Sequence, residues 1–144
     1  MLYLFLKTLH LLMAIAFVGT LFFQVFILAP VSSQLSQALR GRMSILFGQQ
    51  ARRVIHWVAL LLYGAGIALV WPYRQALADP LASVFSMLLS LKLAFAILII
   101  GHYVALIVLR SKNRITERGM RLVNISLLLH AVALVFCAKA MFIL

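Results

Sequence analysis

The stretch "SVFSMLLSLKLAFAILIIGHYVALIVL", Ser83–Leu109, decides the fold. Coiled as an α-helix it would rise about 40 Å. That exceeds the roughly 30 Å hydrocarbon core of a bilayer, and its single formal charge is Lys92. Three further stretches have the same character. Tyr3–Leu28 is interrupted only by Lys7, Val54–Trp71 has no Lys, Arg, Asp or Glu, and Leu122–Phe142 carries Lys139 near its end. These lengths fit helices and not the alternating strands of about ten residues found in outer-membrane barrels. Pro30, Pro72 and Pro80 fall just outside the runs, where proline ends or precedes a helix. The reading is an all-α integral membrane bundle of four transmembrane helices, one domain over residues 1–144, without linker or internal repeat.

Composition agrees. Of 144 residues, 66% are hydrophobic and 10% charged, with a mean hydropathy of +1.15. Soluble domains carry about 25% charged residues, and disorder needs low hydrophobicity, so both classes are excluded. There are 13 Lys and Arg against two acidic residues, Asp79 and Glu117. A nucleic-acid partner needs a solvated basic face, whereas here the basic residues sit between apolar runs. Cys137 is the only cysteine and has no partner for an internal disulfide.

The basic residues set topology. Arg40, Arg42, Arg52 and Arg53 lie in the first loop, and Arg110, Lys112, Arg114, Arg118 and Arg121 in the third. The second loop holds Arg74 opposite Asp79. The positive-inside rule puts loops one and three in the cytoplasm and both termini outside, N-out/C-out. The cytoplasmic charge also suits anionic lipid headgroups. The first run is too long for a signal-peptide core, and its basic residue lies inside it, so it reads as a retained helix. In the first loop Leu35, Leu39, Met43, Leu46 and Phe47 fall at helical spacing. That fits either a short interfacial helix or an ordinary polar connection.

Ionisable groups inside a membrane are costly and mark function by default. His10 and Lys92 each lie roughly 10 Å below the outer surface by helix rise, so they are expected to meet in an outer-half site. His102 and His130 lie roughly 10 and 12 Å from the cytoplasmic side, and are expected to meet in an inner-half site. Ser126, His130 and Cys137 share a face of the fourth helix. Neutral imidazole is a good ligand for haem iron or copper, and a haem between helices needs axial ligands and apolar walls. His10, His102 and His130 are therefore candidate cofactor or metal ligands, and Lys92 is a candidate catalytic residue or a partner for a haem propionate. The bland alternative is an inert helix–helix hydrogen bond, the preferred reading for His56. Lys7 and Lys139 are near helix ends and snorkel. Gly64 and Gly66 read as close helix packing, Cys137 as a small packing residue, and Trp57, Trp71, Tyr73 and Tyr3 as aromatic belts. No HExxH, CxxC or CxxCH occurs, which leaves zinc-protease and c-type haem chemistry without support. The six methionines do not cluster.

The opening "LKTLHLLMAIAFVGTLFF", with Lys7, His10, Gly19 and Phe22–Phe23, resembles the first helix of the CopD/HemJ-like membrane superfamily. "LKLAFAILIIGHYVALIVL", with Lys92 and His102, resembles its Lys-to-His helix, and "RRVIHWVALLLYGAGIAL" its second. The resemblance implies either a haem b-binding membrane oxidase of protoporphyrinogen or a copper uptake or tolerance protein. It makes His10 a haem or metal ligand and Lys92 a site residue. HemJ-like proteins carry a Trp-Ala/Met-Gly-Leu stretch and a Pro-Arg pair where this chain has "FVGTLFFQVFILAP", which favours a generic CopD-like member. The expectation is a bacterial inner-membrane haem b protein acting in electron transfer or oxidation, with quinone or porphyrin as partner and a homo-oligomer as a plausible assembly. Copper transport and a non-catalytic accessory subunit are the alternatives.

Overall fold

A computed structural model describes residues 1–112, 114–141 and 143. Every regular element among them is helical. The order is α1 (Leu2–Phe23), a π-helical turn (Gln24–Leu28), α2 (Ala29–Ser33), α3 (Gln37–Val70), a 3-10 helix (Trp71–Leu77), α4 (Val84–Ser111) and α5 (Glu117–Ala140). Four helical stretches are long and apolar enough to cross a membrane: Leu2–Ser33, Gln37–Leu77, Val84–Ser111 and Glu117–Ala140. The chain divides into two compact units, Met1–Trp71 and Pro72–Leu144.

In the first unit α1 packs along α3. The first span does not stop at Leu28 but runs to Ser33. Pro30 lacks an N–H and its ring crowds the carbonyl four residues back. The π turn widens the coil just ahead of it, with the Ala29 N–H bonding Gln24 O five residues back, and Pro30 follows as the second residue of α2. The first loop is helical too. It forms one continuous helix with the second span, α3, of 34 residues. The real turn is only Gln34–Ser36. Arg40 reaches back over it, donating from Nε to Ser32 O at 3.0 Å and from Nη2 to Ser33 O at 2.9 Å and Leu35 O at 3.3 Å. Ser32 and Ser33 end α2 and Leu35 lies in the turn, so the guanidinium ties the end of one helix to the start of the next.

In the second unit α4 packs along α5. Ser83 caps α4, its hydroxyl accepting from Ser86 N at 3.1 Å. Thr116 caps α5, accepting from Gly119 N at 3.1 Å, with Glu117 in the first turn, where a negative charge is favourable. The fourth span begins earlier than the apolar run suggests, at Glu117, and its expected end, Phe142, lies outside the described residues. Large apolar side chains face outward on all four long helices, among them Phe5, Leu60, Ile97 and Phe136. Water does not tolerate so wide an apolar surface.

Candidate functional site

Four histidines share one feature. Each has Nδ1 within hydrogen-bond distance of a backbone carbonyl: His10 with Leu62 O at 2.9 Å, His56 with Arg52 O at 2.7 Å, His102 with Leu98 O at 2.8 Å and His130 with Ser126 O at 2.6 Å. A carbonyl only accepts, so the neutral ring's proton is on Nδ1 and its lone pair on Nε2. Imidazoles that hold metals are oriented in this way by a second partner.

For His56, His102 and His130 the carbonyl is one turn back in the same helix, which any helical histidine can reach. His10 is different, because Leu62 belongs to the facing helix. The Leu62 carbonyl points along α3 toward residue 66, where a side chain would cover it. Residue 66 is glycine, and a Cβ built there would stand 3.0 Å from His10 Cε1 and 3.3 Å from Nδ1. Gly66 is thus the notch that seats the His10 ring, while a Cβ on Gly64 would meet nothing within 4 Å. The expected packing role of the glycine pair is thereby divided between a histidine seat and an open position.

In the second unit the expected meeting of His102 and His130 occurs. Their ring centroids are 5.1 Å apart at 49°. Ser126 Oγ lies 3.1 Å from His102 Nε2 and 3.5 Å from His130 Nδ1. Since His102 Nδ1 is committed to Leu98 O, its Nε2 accepts and the Ser126 hydroxyl donates. Phe95, two turns before His102 on the same face, meets the His130 ring edge-on at 5.8 Å. Cys137 is buried two turns beyond His130, consistent with packing.

His10 belongs to the first unit and Lys92 to the second, and each is described within its own unit. Lys92 is half-buried on α4. His56 is exposed, and so are Lys7 and Lys139. Among the described residues no group of three or more His, Cys, Asp and Glu could hold a metal ion. Residues that reading by depth left aside are Leu62 and Gly66, the partners of His10. The Gly64–Gly66 pair was the available signal. No known family, characterised protein or solved structure matches the chain.

Proposed function

We propose that the chain is a multi-pass bacterial inner-membrane protein, a four-helix bundle with both termini outside, that binds haem b through histidine and acts in electron transfer or oxidation in the CopD/HemJ manner. The outward apolar surface and the placement of Lys and Arg in alternate loops support the membrane part. The observation that carries the haem part is the His10 seat: a ring locked in one tautomer by a facing carbonyl and a glycine notch. Such a ring offers Nε2 as an iron ligand with its orientation already fixed. Haem, when bound, would supply one-electron chemistry at a potential set by its axial ligands.

His102 and His130 are the other candidate ligands. Their rings touch, so they do not stand on opposite faces of one porphyrin, and an iron there would use one of them. Lys92, an ammonium in an apolar span, suits a haem propionate or an anionic substrate, the role expected of a catalytic lysine. Quinone or porphyrin is the proposed partner, with anionic lipid at the cytoplasmic face and self-association between apolar helix faces.

Contact between two imidazoles favours a second reading at that pair, a small copper ion. With two protein ligands the ion would be in passage and not resident. A visible absorption spectrum decides. The purified protein is expected to show a Soret band and, on reduction, an α-band, both lost in His10→Ala. A colourless preparation that takes up no added haem overturns the haem reading, and bound copper without haem supports the second.

A further inference from the structure

In the first unit the two paired helices carry their apolar runs at different heights. The hairpin turns at Ser36, and residues equally far from it along the chain stand level, as His10 and Leu62 do. The run of α1, Tyr3–Leu28, is centred between Ile15 and Ala16, level with His56 and Trp57. The run of α3, Val54–Trp71, is centred between Leu62 and Tyr63. The two centres are therefore about 9 Å apart along the hairpin by helix rise. If the hairpin stood upright with Val54–Trp71 filling the hydrocarbon, α1 would leave it at Gly19, which is level with Arg53. About 14 Å of apolar helix would then stand in water, with the exposed side chains of Phe22, Phe23 and Phe26 on it. An arrangement of that kind is unfavourable.

We infer that the first hairpin leans across the membrane by about 40–45°, with the cytoplasmic half of α3 laid against the phosphates of the cytoplasmic headgroups and α1 beneath it. Two lengths lead to that angle. Tyr3–Leu28 rises about 39 Å, which fits a core of about 30 Å at a lean of about 40°. Levelling two centres about 9 Å apart on helices packed about 9 Å apart takes a lean of about 45°.

The side chains agree with the direction of the lean. The run of α3 is centred further from the turn, so α3 must rise toward the cytoplasm for the two runs to share one depth. The face of α3 turned away from α1 then meets headgroups near the turn and acyl chains toward its other end. Opposite Leu62 and Gly66 at helical spacing, that face carries Arg42, Gln49 and Arg53, followed by Leu60 and Ile67, all of them exposed. The far face of α1 meets acyl chains near the turn. It carries the three phenylalanines, with the rings of Phe22 and Phe26 4.9 Å apart. Guanidinium groups bind phosphate strongly, and no Asp or Glu precedes Asp79, so the first unit offers these arginines no carboxylate of its own. Arg40 is engaged differently, on the carbonyls of the turn. The inference rests on the membrane reading proposed above and is independent of haem.

Spin labels on single cysteines read depth from the contrast between oxygen and a water-soluble nickel chelate. The sample is the full chain with Cys137→Ala, in nanodiscs of phosphatidylcholine and phosphatidylglycerol. Phe23→Cys and Gln49→Cys stand level on either side of Ser36, and both positions are exposed. The lean sets Phe23 about 6 Å deeper at the backbone, so its label should favour oxygen and the Gln49 label nickel. Phe26→Cys and Leu46→Cys, also level and exposed, repeat the measurement if the first pair disturbs the fold. This contrast does not depend on which side of the membrane the turn faces. Equal or reversed depths within the bilayer overturn the lean and leave the membrane reading standing. Labels open to nickel alone at both positions overturn the two together. A Phe23 label shielded from both reagents also overturns the lean, because protein and not lipid then covers that face. Changing Arg42 and Arg53 together to Gln should shrink the depth difference, since interfacial arginines help to set tilt. An unchanged difference in that folded variant overturns the contact with phosphate.

Discussion

A methyl group on Gly66 would stand 3.0 Å from His10 Cε1, so Gly66→Ala forces the ring to move. Overpacking of this kind costs about 1–3 kcal/mol, and the carbonyl bond from His10 to Leu62 weakens with it. Gly64→Ala is the control. It meets nothing within 4 Å and gains about 0.5–1 kcal/mol from helix propensity. Unfolding midpoints in detergent should therefore move in opposite directions for two glycines two residues apart, and only Gly66→Ala should shift or bleach the Soret band. Equal shifts would remove the seat from the argument. Part of this site was legible. Depth along the helices paired His102 with His130 correctly, because α4 and α5 are consecutive helices joined by a short turn. His102 lies 12 residues before Arg114 and Ser126 lies 12 after it. The same count applied to the first hairpin finds the partner of His10, since His10 and Leu62 each lie 26 residues from Ser36. Depth alone offers no facing-helix partner within the hairpin for His10, because it compares heights and ignores which helix faces which.

At the scale of the element, the apolar runs located the helices and misjudged their ends. Hydropathy reports where a helix is greasy, not where its hydrogen bonds stop. The α3 helix continues through the arginine-rich segment because Arg and Gln are good helix formers, and at 34 residues it is about 51 Å long. On the membrane reading its first half stands beyond the hydrocarbon core. The turn before it depends on Arg40, whose guanidinium bridges three carbonyls. Hydrogen bonds to a charged donor are worth about 1.5–3 kcal/mol when buried, less at this half-buried site, so Arg40→Ala should cost about 1–2 kcal/mol. Arg40→Lys should not rescue it, because one ammonium cannot span the fork. Arg42→Ala, exposed two residues further on, should leave the unfolding midpoint unchanged. Limited proteolysis at 34–36 should become faster in Arg40→Ala alone. At the start of α5, Thr116→Ala removes the acceptor for Gly119 N, and a lost cap of this type costs about 1 kcal/mol, readable in the same melts.

Across the whole molecule the proposed sidedness rests on where the basic residues lie. Nine of them occupy the first and third loops, against Arg74 and Asp79 in the second. Lys and Arg near span ends hold short loops on the cytoplasmic side, whereas acidic residues contribute little. Their alternation predicts that residues near 78 face outward while residues near 49 and 111 face the cytoplasm. Single cysteines test this in a Cys137→Ala background, which removes the one native thiol. In intact cells a membrane-impermeant thiol reagent should label Ala78→Cys at once. Gln49→Cys and Ser111→Cys should react only after the membrane is opened. The reverse pattern would invert the topology and move His10 to the cytoplasmic half. No labelling of Ala78→Cys, with free reaction at the other two sites in intact cells, would mean that the loop charges do not govern insertion here. Removing charge sharpens the test. With Arg110, Lys112, Arg114 and Arg118 all changed to Gln, the third loop loses its bias over the second, and Ser111→Cys should become partly accessible from outside. Gln49→Cys should stay protected, because the arginines at 40, 42, 52 and 53 still hold the first hairpin.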